Sequence, residues 1–357
     1  MSEPTAANAR DGSIAMPLAI PADLLSELEA DGVRVLATLE AVEERLITRA
    51  HSSHAFTREV SRYLIDAGGK RFRPLLVCLT GHLPQASRAN PPFDALVDAG
   101  VIVELVHLAT LHHDDVIDDA PARRGITSAH LRWTNTLAIL TGDFLMARAS
   151  ELSAELGVDV TRIISQTLAR LCEGQIAEVQ GAQGDLPEAV PVIAPSVEHY
   201  LEVVSGKTAS LIETSCRYGA LLSGGTAQEV EAAARYGFHV GMAFQFSDDI
   251  LDIASDPQDS GKIPGTDLKE GVLTLPVLYA LEQDPDSELA ELLTGRLDDD
   301  QVGRAIALLR AHPALDRARA TAEQTVQAAT DDLNVFADGA PTRALSRLAR
   351  FAITRLG

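Results

Sequence analysis

Apolar side chains recur every three or four positions along almost the whole chain after residue 21, with polar and charged residues filling the opposite face. Such spacing belongs to one-sided helices, whereas a half-buried strand alternates at every second residue. The pattern predicts helices over residues 22 to 49, 55 to 66, 72 to 82, 93 to 118, 133 to 156, 160 to 181, 196 to 222, 226 to 253, 272 to 283, 299 to 311, 313 to 331 and 341 to 355, and no strands. Glycine and proline punctuate it at Gly68-Gly69, from Pro84 to Pro92, from Pro121 to Thr127, at Pro187, Pro191 and Pro195, at Gly224-Gly225 and from Ser255 to Gly271. Residues 1–21 are small, polar and aperiodic, and are expected to form a disordered N-terminal segment. Nothing divides the remainder, so residues 22–357 are read as one all-α domain.

Aromatic residues are only 4% of the chain, while alanine and leucine abound, which favours helix further. The 51 acidic residues outnumber the 30 basic ones, for a net charge of −21. That balance argues against a nucleic-acid partner, since a phosphate backbone demands a basic surface. Cys78, Cys172 and Cys216 stand far apart in apolar helical stretches and are expected to be reduced core residues of a cytoplasmic protein. No secretory signal opens the chain and no uninterrupted apolar run reaches membrane-spanning length, so no membrane span is expected.

Two of the predicted helices end in the same acidic pattern, Asp114-Asp115-x-x-Asp118 and Asp248-Asp249-x-x-Asp252. On a helix the first and last aspartate of each copy point the same way, one turn apart, with the middle one on the flank. A single acidic cluster at a helix end is more often a solvated face. Two copies, each closing an apolar helix that should be buried, are harder to explain without a cation, because crowded carboxylates repel. Hard oxygen ligands in an open arrangement suit Mg²⁺, which keeps several waters and shares its coordination with substrate phosphates. A calcium-binding loop is excluded, since it needs alternating oxygen ligands around a glycine and a distal glutamate. Basic residues cluster beside the claws against the acidic background: Arg123-Arg124-Gly125 after the first and Gly261-Lys262 after the second. Upstream lies Gly69-Lys70-Arg71-Phe72-Arg73-Pro74, whose proline can open a helix, so its cations would sit at an N-terminus that favours anions.

The ordered set Gly-Lys-Arg-x-Arg-Pro, Asp114-Asp115-x-x-Asp118 with Arg123-Arg124-Gly125, Gly206-Lys207-Thr208, Phe244-Gln245-x-x-Asp248-Asp249-x-x-Asp252, and Gly261-Lys262 to Thr274-Leu275-Pro276 resembles the trans-polyprenyl diphosphate synthases from about residue 55 to 285. The resemblance implies an isoprenoid-synthase-type helical bundle around a deep apolar cavity, with both claws at its mouth, three Mg²⁺ ions and a homodimer. It implies Asp114, Asp118 and Asp248 as principal metal ligands, assisted by Asp115, Asp249 and Asp252. Lys70, Arg73, His107 and Arg124 resemble an isopentenyl diphosphate site; Arg123, Lys207, Thr208, Gln245 and Lys262 resemble contacts to an allylic diphosphate. By position alone His107, two turns before Asp114, reads equally well as a core histidine, and His112 and His113 as structural or hydrogen-bonding groups.

The implied reaction ionises an allylic diphosphate and adds the cation to isopentenyl diphosphate, so the protein must stabilise a departing diphosphate and exclude water. Product length should follow cavity depth. Ala109 and Thr110, just before the first claw, are small, and Val106, Leu105 and Ile102 below them are aliphatic, so a product longer than farnesyl is expected, geranylgeranyl or above. Two features depart from the family pattern. Gly271-Val272-Leu273 stands where a lysine often precedes Thr-Leu-Pro, so one diphosphate contact is either missing or supplied by Lys269, and the segment Gly184 to Pro195 is long and proline-rich. The rivals are a class I terpene cyclase, which has little use for the Lys70/Arg73 site, a subunit of a heteromeric synthase, and a purely structural helical protein.

Overall fold

In the computed structural model, residues 22–84, 91–181, 190–255, 264–295 and 297–354 are described. The expected 1–21 segment and Lys262 lie outside these residues. The centre is α5 (Phe93–Ile117), whose residues from Val101 to Val106 are all buried. A helix apolar nearly all round needs neighbours on every side. It finds them in α2 (Val35–Arg49), α4 (Phe72–Gly81), α7 (Asn135–Leu156) and α10 (Ser210–Leu222). By length and mean hydropathy, 1.5, α5 could cross a membrane, but 72% of that stretch is buried in protein. Its apolarity serves the core.

Around this centre run α1 (Ala22–Ala30), α3 (Ala55–Asp66), α6 (Ala129–Arg132), α8 (Val158–Gly181), α9 (Val197–Val204), α11 (Ala227–Ala254), α12 (Thr266–Glu270), α13 (Leu275–Gln283), α14 (Glu288–Leu292), α15 (Asp299–Ala311), α16 (Ala314–Asp332) and α17 (Ala340–Thr354). α11 is the second long core helix, packed between α10 and α16. A full capping box starts it, Thr226 accepting from the Glu229 N–H and Glu229 reaching back to Thr226. The two long core helices therefore each deliver one aspartate motif at their C-terminal ends.

The all-α expectation holds, with local corrections. The helix expected over 22 to 49 is two helices, broken where Gly32 adopts φ 82 after Asp31, a left-handed turn that glycine takes without a Cβ penalty. The helix expected over 196 to 222 contains a π-helical segment at Ser205–Ala209. The helix expected from 272 starts at Leu275, because Thr274 is extended and serves as its cap. α6, α12 and α14 are too short to leave a periodic mark, and so is a two-residue hairpin, β1 (Ala122–Arg123) with β2 (Ile126–Thr127), that follows the first claw. Cys78 and Cys216 are buried as expected, but Cys172 is exposed on the outer face of α8.

Candidate active site

The first claw is the last turn of α5. Asp118 caps that helix, its N–H donating to the Asp114 carbonyl at 2.8 Å. Burial pushes the Asp114 carboxyl up to about 6, with Lys207 opposing and Asp118 and Glu178 adding to the rise. Asp118 is raised too, chiefly by burial. Asp115 points inward and is wholly buried, accepting the Arg123 Nε–H at 2.6 Å. It anchors the hairpin that carries Arg123 and Arg124. Asp119 and Arg124 turn the chain through left-handed conformations, φ 48 and 53, which cost about 1–3 kcal/mol each and persist where the surroundings enforce them.

The second claw ends α11. Asp249, 2% exposed, accepts from the Tyr200 hydroxyl and, at 2.8 Å, from Gln245 Nε2. Burial pushes its carboxyl up to about 7 despite these bonds. Asp252 receives the backbone N–H groups of Thr266 and Asp267 at 3.2 and 3.3 Å and so holds α12 against the claw. α12 brings two further carboxyls. Burial, with Asp249 and Asp252 next, raises Asp267 to about 8, and Glu270 is raised by burial with Asp118 and Asp252 adding.

Both claws line one pocket of about 610 Å³, Asp118 from the first and Asp249 from the second, together with Glu178, Lys207, Thr208, Gln245, Asp267 and Glu270. Its apolar wall includes Ile117, Val179, Val203, Val204, Leu273 and Leu278. Lys207 lies in the π segment and pairs with Glu178 of α8. Burial works against its charge, but Glu178, Asp114 and Asp118 outweigh that and hold its ammonium above the ordinary lysine value. Thr208 donates to Gln245 at 3.1 Å, so Thr208, Gln245, Asp249 and Tyr200 form one hydrogen-bonded chain. α8 comes close to the π segment because Gly174 has no side chain: a Cβ there would stand 2.5 Å from the Lys207 nitrogen and 2.9 Å from the Gly206 carbonyl carbon.

A basic crevice lies beside the first claw. Arg71 takes φ 48 as the residue before α4, and its carbonyl accepts from Leu75 at 3.0 Å. Its side chain is buried and committed to Glu43 and Glu104. Arg73, half-buried, keeps an Nε sealed from solvent with no hydrogen-bond partner among the described residues. Burial lowers its guanidinium to about 10, with Arg124 pressing the same way and Glu104 opposing. Burial, then Arg73, Arg124, Arg71 and Arg123, push His107 well below the usual imidazole range, so it is neutral at pH 7. Arg124 donates to the carbonyls of Leu64, at 3.0 Å, and Gly68. Lys70 is exposed at the rim.

Ala109 is fully buried in the apolar cluster that includes Val106, Leu145 and Leu211, while half-buried Thr110 returns its hydroxyl to the His107 carbonyl. His112 is buried with neither ring nitrogen partnered among the described residues, and His113 bonds the Ile139 carbonyl at 3.1 Å with Asp143 at 3.4 Å. Lys269 does not reach the pocket. It pairs with Asp299 at 2.6 Å, in a largely exposed bridge, while Val272 lines the pocket wall. Of the Gly184 to Pro195 segment, residues 184–189 lie outside the described residues, and Ile193 bonds the Gln180 carbonyl at 3.0 Å. Sequence reasoning missed Glu43, Glu104, Glu178, Tyr200, Asp267 and Glu270. Only Glu104 carried a signal, as one acid inside the run Val101 to Leu108.

Among the described residues no three His, Cys, Asp or Glu side chains already converge at metal-ligand spacing. The donor set fits a hard cation all the same: Asp118, Asp249, Asp267 and Glu270, raised chiefly by burial and further by neighbouring carboxylates, share one pocket with Lys207.

A helical bundle that gathers two acidic motifs and a basic crevice in this way is a prenyltransferase, an isoprenyl diphosphate synthase. The chain belongs to the polyprenyl synthetase family, matching it over residues 54–309. It is 43% identical over 327 residues to the nonaprenyl diphosphate synthase of Mycobacterium tuberculosis, covering 90% of this chain and 94% of that one. It is 32% identical over 314 residues to heptaprenyl diphosphate synthase component 2 of Bacillus subtilis, covering 88% and 86%. Among solved structures, geranylgeranyl pyrophosphate synthase from Corynebacterium glutamicum, complexed with calcium and isoprenyl diphosphate, superposes with a TM-score of 0.78 at 35% identity, over 94% of this chain and 98% of that one.

Proposed function

We propose that the chain condenses isopentenyl diphosphate head to tail with an allylic diphosphate, in the cytoplasm, to give a trans-polyprenyl diphosphate longer than farnesyl. The observation that carries this reading is the pocket shared by Asp118 and Asp249 with Lys207 and an apolar wall. In the reaction the allylic carbon–oxygen bond breaks and its electron pair leaves with the diphosphate. The double bond of isopentenyl diphosphate then attacks the cation, and a proton is lost to form the new double bond. Lys207, Thr208 and Gln245, with Arg123 and Lys262, bind the departing diphosphate, and Lys70, Arg73, Arg124 and neutral His107 hold the isopentenyl diphosphate. Asp114, Asp118 and Asp248 would hold Mg²⁺, three ions in all, supplying positive charge to the leaving group. Asp115, Asp249 and Asp252, each tied into the surrounding structure, fix the shape of the claws.

Incubating the purified chain with Mg²⁺, isopentenyl diphosphate and each allylic starter in turn should give linear products longer than fifteen carbons by mass analysis. Cyclised hydrocarbon formed without isopentenyl diphosphate would instead support the cyclase. The names of the nonaprenyl, heptaprenyl and geranylgeranyl relatives support the longer product. Ala109→Phe adds bulk to the apolar cluster below the first claw, and if the growing chain extends toward that cluster it should shorten the product. An unchanged product distribution would remove Ala109 as a determinant of length.

A homodimer is part of this proposal, supported by the apolar residues Ile139 and Leu140 of α7 and Ile176 of α8 that remain exposed. The likeness to a heptaprenyl synthase component supports a second reading, in which the chain acts with a different subunit. Activity of the chain alone decides between them.

A further inference from the structure

We propose that Glu104 is a positioning residue that sets the isopentenyl diphosphate site without touching substrate. This inference rests on the reading of Arg73, His107 and Arg124 as that site. Glu104 is 2% exposed, in the middle of α5 and ten residues before the first aspartate of the claw. A carboxylate so deep in an apolar helix must be compensated. Its Oε1 accepts from Arg71 Nη1 at 2.8 Å and from Arg124 Nη2 at 3.4 Å. Arg71 is fixed from the other side by Glu43, with Nη2 to Oε2 at 3.0 Å, and its side chain is only 3% exposed.

The C-terminal end of α3 completes the frame. The carbonyls of Leu64, Ile65 and Gly68 accept from Arg124 or Arg71, at 3.0 Å for Arg124 to Leu64 and 3.4 Å for Arg71 to Ile65. These are helix-end carbonyls at the negative pole of the helix dipole, and they suit guanidinium groups. Gly69 has no side chain to block this approach, since a Cβ there would stand 2.9 Å from Arg124 Cζ. Both arginines hold left-handed backbone angles within the frame.

The charges in this frame are unequal. Arg71, Arg73 and Arg124 face Glu43 and Glu104, and His107 is neutral, which leaves one positive charge surplus. The Nε of Arg73 is the atom left unpartnered among the described residues. Glu104 and Glu43 together offset two of the three guanidinium charges and leave the surplus for an anion, and of the two it is Glu104 that reaches both Arg71 and Arg124. Without it, Arg124 loses the carboxylate that its Nη2 donates to, and Arg73 loses a nearby opposing charge.

Glu104→Gln keeps size and removes charge. It should raise the KM for isopentenyl diphosphate about tenfold, the effect of losing one charge-assisted hydrogen bond, while the KM for the allylic substrate stays within about twofold. The alternative is that Glu104 only neutralises Arg71. In that case the double variant Glu104→Gln/Arg71→Met would restore the isopentenyl KM; under the proposal it stays raised. Glu104→Asp keeps the charge and retreats from Arg124, so it covers the case in which the glutamine variant fails to fold, and should show the same selective rise in smaller measure. Equal changes in both KM values, no change in either, or restoration by Arg71→Met would overturn the proposal. Absence of any condensation by the unmodified protein would instead refute the functional reading on which it rests.

Discussion

Asp114→Asn is expected to lower kcat/KM for condensation by about a hundred- to a thousand-fold, the range seen when one preorganised electrostatic group is removed from a reacting centre. The same substitution should stabilise the protein in the absence of ligand. Burial raises the Asp114 carboxyl from 3.8 to about 6, with Asp118 and Glu178 adding to it. A carboxyl raised in the folded state binds its proton more tightly there than in the unfolded chain. Stability therefore falls as pH rises through the interval between those two values, and at pH 7 the penalty is fully present. Asparagine removes it, for a gain on the order of 1–2 kcal/mol. Calorimetric melting at pH 7 and at pH 4, without Mg²⁺, checks this: the variant should exceed the parent at pH 7 and match it near pH 4. A destabilised variant at pH 7 would mean that ionised Asp114 carries no such burial penalty.

Gly174→Ala should damage both stability and the allylic site. Its new methyl would meet only backbone: the Lys207 nitrogen at 2.5 Å, and the carbonyl carbon and Cα of Gly206 at 2.9 and 3.0 Å. Backbone cannot swing aside as a side chain can, so α8 and the π segment must separate. Overpacking of this kind costs about 1–3 kcal/mol, and the separation moves Lys207 away from the pocket. Expected results are a lower Tm and a KM for the allylic substrate raised more than that for isopentenyl diphosphate. An unchanged Tm with both KM values intact would show that the two helices have room to give.

The claws were legible because their geometry is local. Four-residue spacing on a helix brings Asp114 beside Asp118 whatever the rest of the chain does. The basic crevice was legible only in part. Lys70, Arg73 and Arg124 stood out against an acidic background, but the difference between Arg71, locked in ion pairs, and Arg73, with an open nitrogen, depends on Glu43 and Glu104. Those partners lie 28 and 33 residues from Arg71 in sequence. Asp267 reads in the sequence as one more acid in a loop, and becomes part of the site only because Asp252 binds the backbone N–H groups that start α12. The π segment left no trace, because one extra residue within a long apolar helix hardly alters its periodicity. Cys172 shows the reverse error: an apolar type within a helical pattern need not lie on the inner face.

The π segment also bears on how this stretch of chain can change. Ser205–Ala209 holds one residue more than an α-helical turn accommodates. Excising that surplus by a single-codon deletion would let α9 and α10 fuse into one regular helix. Everything after it would then rotate by about 100° relative to everything before. Tyr200 and the buried face of α10 could no longer both meet α11, so the locus should reject a deletion.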